Sequence, residues 1–257
     1  MKALVSTIRH LGTRLALLVY ALAPAMQAHA QASTQGPLLA AFSSASGVQP
    51  PSPWRVVGVP GGKISLTAYA LVELDGRKVL RVEADKSYGN LVHDLPAAVP
   101  EAGVQLRWRW RLDEALRGGD LRRREGDDSP LKVCALFDMP LDKLGLIERN
   151  LLRLARAASG EKLPSATLCY VWDGTLAPGT LLSNAYTARV RFIVLDSGEQ
   201  RLGQWVAHSR NLGADFRRAF GKESDAMPPL QAVLVGADAD NTGGRSLGHV
   251  GDVTLSP

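Results

Sequence analysis

The chain has 257 residues, and its 30 Lys and Arg exceed its 25 Asp and Glu by five. Three of those bases fall in the first thirty residues with no acid beside them, so the rest carries only +2, without the strongly basic face of a nucleic-acid binder. Two cysteines and three scattered later histidines (His93, His208, His249) argue against a zinc site, and the length beyond residue 30 suits one β-sandwich domain.

The first thirty residues read as a cleavable secretory signal. Lys2, Arg9 and Arg14 form a basic leader. Leu15 to Ala23 is an apolar run shorter than the ~20 residues needed to cross a bilayer. Ala28 and Ala30 supply small residues at the positions a signal peptidase reads, placing the cut before Gln31. No cysteine near the cut suggests a lipid anchor, and no later run reads as a transmembrane segment. A periplasmic or secreted protein is expected. Residues 31–53, rich in Ser, Ala, Gly and Pro, read as an extended lead-in, with one domain over 54–257.

Ala68 to Leu74 and Lys78 to Ala84 flank Asp75-Gly76, a pair suited to the positive φ of a tight hairpin. In Val104 to Leu112, Leu106, Trp108, Trp110 and Leu112 alternate with Arg107, Arg109 and Arg111, predicting a strand with one apolar and one basic face. The basic run Arg122 to Arg124 meets Glu125, Asp127 and Asp128 and reads as a solvated loop. Leu131 to Phe137 and Thr167 to Trp172 are apolar strands. Between them, Leu144, Ile147, Leu151, Leu154 and Ala158 recur at three- and four-residue spacing, which predicts an amphipathic helix over Leu141 to Ala158 covering an edge or end of the sandwich.

Ala188 to Leu195 and Gly203 to His208 read as a second hairpin around Asp196-Ser197-Gly198. Asp215 is the expected cap of a short helix stopping at Gly221. Leu230 to Val235 and Val250 to Leu255 close the chain as strands. Many short strands without βαβ alternation predict a mostly β fold: an antiparallel two-sheet, jelly-roll-like sandwich with one amphipathic and one short helix. Export permits a bridge between Cys134 and Cys169, but both lie in apolar runs, where a cysteine is commonly a small buried hydrophobe. The sequence leaves both readings open.

LRWRWRLD at Leu106 to Asp113, GDD at Gly126 to Asp128, CYVWDG at Cys169 to Gly174, GQWVAHSRNLGADFRRAFG at Gly203 to Gly221, DADNTGG at Asp238 to Gly244 and GDV at Gly251 to Val253 occur in this order. The set resembles the bacterial family called domain of unknown function 3047 and covers nearly all of the chain after the leader. The resemblance implies an exported protein and no particular chemistry. Two positions depart from the family pattern: His249-Val250 stands where an aromatic pair is common, and Cys134 where an aliphatic or aromatic residue is expected. A weaker similarity, in Asp252-Val253-Thr254-Leu255, runs to the last strand of jelly-roll carbohydrate-binding modules.

The usual catalytic signatures are missing: no Gly-x-Ser-x-Gly, no His-Glu-x-x-His, no phosphate loop and no dinucleotide fingerprint. Paired carboxylates remain, Asp127 with Asp128 and Asp238 with Asp240, as turn residues or as the acid pair of a carbohydrate-active enzyme. Asp238, Asp240 and Thr242, at positions one, three and five before Gly243, also fit the first half of a calcium loop, with Asp252 as a further ligand. The arginine face reads either as cross-strand pairing with acids or as a polar groove in which guanidinium groups hold hydroxyls or anions. Trp108 and Trp110 read as core, and Trp205 as a possible ligand contact. The expected function is a non-catalytic binding domain for a glycan or other polar envelope ligand, using Arg107, Arg109, Arg111, Asp127, Asp128, Trp205 and Asn241. The alternatives are an enzyme using the acidic loops and a scaffold for another envelope protein.

Overall fold

A computed structural model describes residues 38–59, 61–95, 104–159 and 163–256. The expected signal sequence and the start of the lead-in lie outside these residues. In chain order the strands are β1 (Arg55–Val57), β2 (Ala68–Leu74), β3 (Arg77–Asp85), β4 (Tyr88–Asp94), β5 (Gln105–Glu114), β6 (Leu131–Phe137), β7 (Ala166–Asp173), β8 (Leu181–Ser183), β9 (Val190–Ser197), β10 (Val206–Asn211), β11 (Leu230–Asp238), β12 (Arg245–Val250) and β13 (Thr254–Ser256). Helices α1 (Leu146–Ser159) and α2 (Leu212–Phe220) interrupt them. One sheet runs β1-β4-β11-β6-β7-β9-β8, and the other runs β10-β5-β12-β3-β2 with β13 against β5. The protein is thus a mostly β, two-sheet sandwich, antiparallel except for the parallel pair β7 and β9.

Strict alternation builds the core. Leu106, Trp108, Trp110 and Leu112 of β5 point inward and meet Tyr170 and Trp172 of β7, with ring centroids 5.3 Å apart for Trp108 and Tyr170 and 6.2 Å for Trp110 and Trp172. Such offset aromatic pairs add ~0.5–1.5 kcal/mol each beyond the area they bury. The β2–β3 hairpin turns at Asp75 and Gly76, both at positive φ.

Several expectations need correction. Leu39 and Phe42 are buried in the core, and Ser43 bonds Asp252, so the described part of the lead-in is packed structure. The second hairpin does not form, because β9 joins β7 in one sheet while β10 joins β5 in the other. Asp196, taken for a turn residue, is fully buried between the sheets, accepting from Trp110 Nε1 and bonding His208 Nε2, each at 2.7 Å. Asn211 caps α2 by accepting the Ala214 N–H, while Asp215 sits in the first turn and pairs with Arg210. Of the two readings left open for Cys134 and Cys169, the bridge is the one formed: the two stand directly opposite each other on β6 and β7 and make a disulfide. The stretch expected as one helix splits into a 3-10 turn at Leu141–Lys143 and α1. Leu144 is buried, but Ile147, Leu151 and Leu154 are 77%, 61% and 67% exposed.

Candidate functional site

Residues of β6 alternate between two environments. Leu131, Val133, Ala135 and Phe137 enter the core between the sheets, while Lys132, Cys134 and Leu136 point to the outer face. The same alternation turns Tyr88, Asn90 and Val92 of β4, Leu234 and Asp238 of β11, Cys169 of β7 and Phe192 of β9 to that face. Together they floor a groove of about 700 Å³ on the seven-stranded sheet, within the usual range for a small-ligand site. Lys132, Asp238 and Asn90 stand at one end of it. The connection from β6 to β7 carries α1 at the other end, with Leu151, Leu152 and Ala155 lining the groove.

The polar end is made by two acidic loops. Asp128 is buried and accepts from the Asn241 N–H, from Asn241 Nδ2 and, at 2.7 Å, from the Thr242 N–H. Asp238 and Ser129 exchange bonds, Asp238 N–H to the Ser129 carbonyl and Ser129 N–H to Asp238 Oδ1. These bonds stitch the GDD loop to the DADN loop. The other Asp238 oxygen lies 2.5 Å from Lys132 Nζ, and both side chains are 9% exposed. Gly236 makes room for this pair, since a Cβ there would stand 2.8 Å from Lys132 Cε and 2.5 Å from Asn90 Oδ1. Burial pulls the Lys132 pKa down, but Asp238 and Tyr88 outweigh it and hold the ammonium above its ordinary value.

Asp127 and Asp240 face the same cavity. Burial pushes the Asp127 carboxyl up to about 6, against the hydrogen bond from Asn184 and with help from Asp238. Burial, then Asp128 and Asp238, also raises Asp240. Asn184 Nδ2 donates to Asp127 Oδ2 at 2.5 Å, yet Asp127 Oδ1, Asp240 Oδ1 and Asn90 Oδ1 are buried without a hydrogen-bond donor among the described residues. Tyr88 and the half-exposed Tyr186 stand beside them, the Tyr186 hydroxyl 3.2 Å from Asn241 Oδ1.

The predicted site residues divide between opposite faces of the sandwich. Asp127, Asp128, Asp238, Asp240 and Asn241 converge, whereas Arg107, Arg109 and Arg111 stand on the outer face of the six-stranded sheet. There Arg111 pairs with Asp113 and Asp75, Arg109 stacks 4.5 Å above the Trp205 ring, and Arg107 donates to Ser256 Oγ. The arginine face and the GDD loop therefore do not form one groove. Asp252 also lies on the arginine side, its two oxygens bonded by the N–H and hydroxyl of Ser43. The calcium trio is not assembled: Lys132 already neutralises Asp238, and among the described residues no three His, Cys, Asp or Glu side chains are grouped to hold a metal. Sequence reasoning missed Lys132, Asn90, Asn184 and Tyr88. For Lys132 a signal existed, a lone cation inside the apolar run LKVCALF.

A family model described as "Protein of unknown function (DUF3047)" matches residues 52–254. No curated protein matches the chain. Among solved structures, the family 11 carbohydrate-binding module from Clostridium thermocellum, in complex with a mixed-linked tetrasaccharide, is 9% identical, with 85% of this chain and 94% of that one covered and a TM-score of 0.40. The xyloglucanase domain of NopAA from Sinorhizobium fredii, in complex with cellobiose, is 6% identical, with 79% and 92% covered and a TM-score of 0.43. Endoglucanase 3 of Trichoderma harzianum is 9% identical, with 81% and 99% covered and a TM-score of 0.38.

Proposed function

The chain belongs to the DUF3047 family, whose description assigns no chemistry, and from that premise we propose that it is an exported domain binding a hydroxyl-rich ligand, a glycan, at the acidic end of the groove on the seven-stranded sheet. The observation that carries this reading is the set of three buried acceptor oxygens, on Asp127, Asp240 and Asn90, that lack donors among the described residues and belong to side chains lining one cavity. Leaving such an atom unpaired costs ~1–3 kcal/mol, and sugar hydroxyls are donors of the right kind. Tyr88 and Tyr186 offer aromatic faces beside them. The arginine face is less suited, because Asp75 and Asp113 already neutralise Arg111 and Trp205 occupies Arg109. The disulfide supports export, since such bonds persist in oxidising compartments.

The test is calorimetric titration of the protein with envelope and plant-type oligosaccharides, beside Asp240→Ala. Loss of a charge-assisted hydrogen bond, ~1.5–3 kcal/mol, should weaken binding roughly ten- to hundredfold. No binding by wild type across the panel would remove the glycan reading.

One observation favours an enzyme as the second reading. A carboxyl with a pKa of about 6 in a cleft is suited to donate a proton to a leaving glycosidic oxygen near neutral pH. Reducing-end release from any of these glycans, abolished by Asp127→Asn, would establish it.

A further inference from the structure

The acidic end occupies only part of the groove. Along β6 the outer face passes from Lys132 to Cys134 and Leu136, four residues or roughly 14 Å of strand. Beside them lie Val92, Cys169, Phe192 and Leu234, all buried in the apolar cluster of this face. Beyond Leu136 stands α1. Its stripe of Ile147, Leu151 and Leu154 faces solvent where an amphipathic helix ordinarily buries such residues, and Leu151 belongs to both the stripe and the groove wall. One cavity thus joins a polar end with three unpaired acceptors to an apolar trough, bordered by Arg189 and Glu148, and the trough continues onto an uncovered helix face. A free sugar would satisfy the first and leave the second wet.

We infer that the ligand is an uncharged amphiphile, a hydroxyl-rich head on a hydrocarbon chain, with the head between the acidic loops and the chain laid along the apolar floor toward α1. This rests on the glycan reading of the acidic end and adds the chain. Charge decides the head group. Asp127, Asp128, Asp238 and Asp240 surround Lys132, whose ammonium is taken by Asp238, and Arg189, the other cation lining the groove among the described residues, is paired with Glu148 and Glu223. A carboxylate or phosphate head would meet uncompensated negative charge there and find no free ammonium. On that ground a carboxylate head is disfavoured between the acidic loops, and a neutral polyol is accepted there.

The experiment measures binding of β-glucosides with methyl, hexyl, octyl and dodecyl chains, each below its micellar concentration, and of dodecanoate at pH 7.5. Wild type, Leu151→Ser and Asp240→Ala are compared. Leu151 is an exposed position, so its variant should fold. Affinity is expected to rise about fourfold per added methylene until the floor is filled, with Leu151→Ser losing several-fold of the gain on the longer chains only. Dodecanoate should bind at least tenfold more weakly than dodecyl glucoside. Affinity that does not change from methyl to dodecyl overturns the inference and leaves the glycan reading standing. Tight dodecanoate binding, indifferent to Asp240→Ala, overturns the neutral head and with it the glycan reading. Concentration-dependent dimerisation abolished by Leu151→Ser, with no alkyl glucoside bound, would assign the apolar surface to a second copy of the chain and also overturn the inference.

Discussion

Replacing Lys132 with Met should be among the most destabilising single changes in the domain. The methionine stem can follow the lysine stem past Gly236 with nearly the same volume, so packing loss is small. What changes is charge: Asp238 keeps the Ser129 N–H on Oδ1 and loses the ammonium 2.5 Å from Oδ2. With both side chains 9% exposed, water does not replace the partner. Breaking a buried pair this way costs ~3–5 kcal/mol. At ~2–4 °C per kcal/mol for a domain of this size, the melting temperature should fall by roughly 6–20 °C. Urea unfolding at pH 7 should show the same loss as a lower midpoint with an unchanged slope. Adding Asp238→Asn to Lys132→Met removes the stranded charge and keeps an acceptor for Ser129, so the double variant should recover most of the loss. A single variant within about 1 kcal/mol of wild type, or a double variant as unstable as the two singles added, would refute the buried pair.

Asp127 makes a pH prediction. Burial holds its carboxyl at about 6 in the folded state, above the ~3.9 of an unfolded Asp. Between those values the folded state binds more protons, so its contribution to stability falls as pH rises from about 4 to about 6. Asp127→Asn should flatten that slope and melt higher than wild type at pH 7, while a carboxyl NMR titration of wild type centred near 4 would contradict the assignment. Removing the disulfide with Cys134→Ala and Cys169→Ala, which opens a loop of 35 residues in sequence separation, should cost ~2–4 kcal/mol in chemical unfolding. Arg109→Ala loses the stack on Trp205 at a half-buried site, at least ~0.5–1 kcal/mol, and should leave glycan titrations unchanged; weakened binding would return the site to the arginine face.

The alternation in LRWRWRL was enough to place Trp108 and Trp110 in the core and the arginines outside, because a strand's side chains can only alternate between two faces. The Asp75-Gly76 hairpin was equally legible, since its turn chemistry is local. The second hairpin failed because the partner of a strand is chosen by non-local packing. Asp196 looked like a turn residue and is instead the buried acceptor for Trp110 and His208. The bridge between Cys134 and Cys169 was hidden for the same reason, since it depends on β6 and β7 meeting in one particular register.

The sequence by itself determined the class of fold, the inward face of β5 and the presence of two acidic loops. Only the tertiary structure decided that the GDD and DADN loops meet, that Asp252 and the arginines lie on the opposite side, and that a lysine completes the site. The acidic loops are joined by bonds spanning more than a hundred residues, such as Thr242 N–H to Asp128 and Lys132 to Asp238. Periodicity reports which face of its own element a residue takes. Which elements then face one another is decided by burying two sheets' apolar sides together, and that choice made a groove from residues whose local signals were those of turns and core.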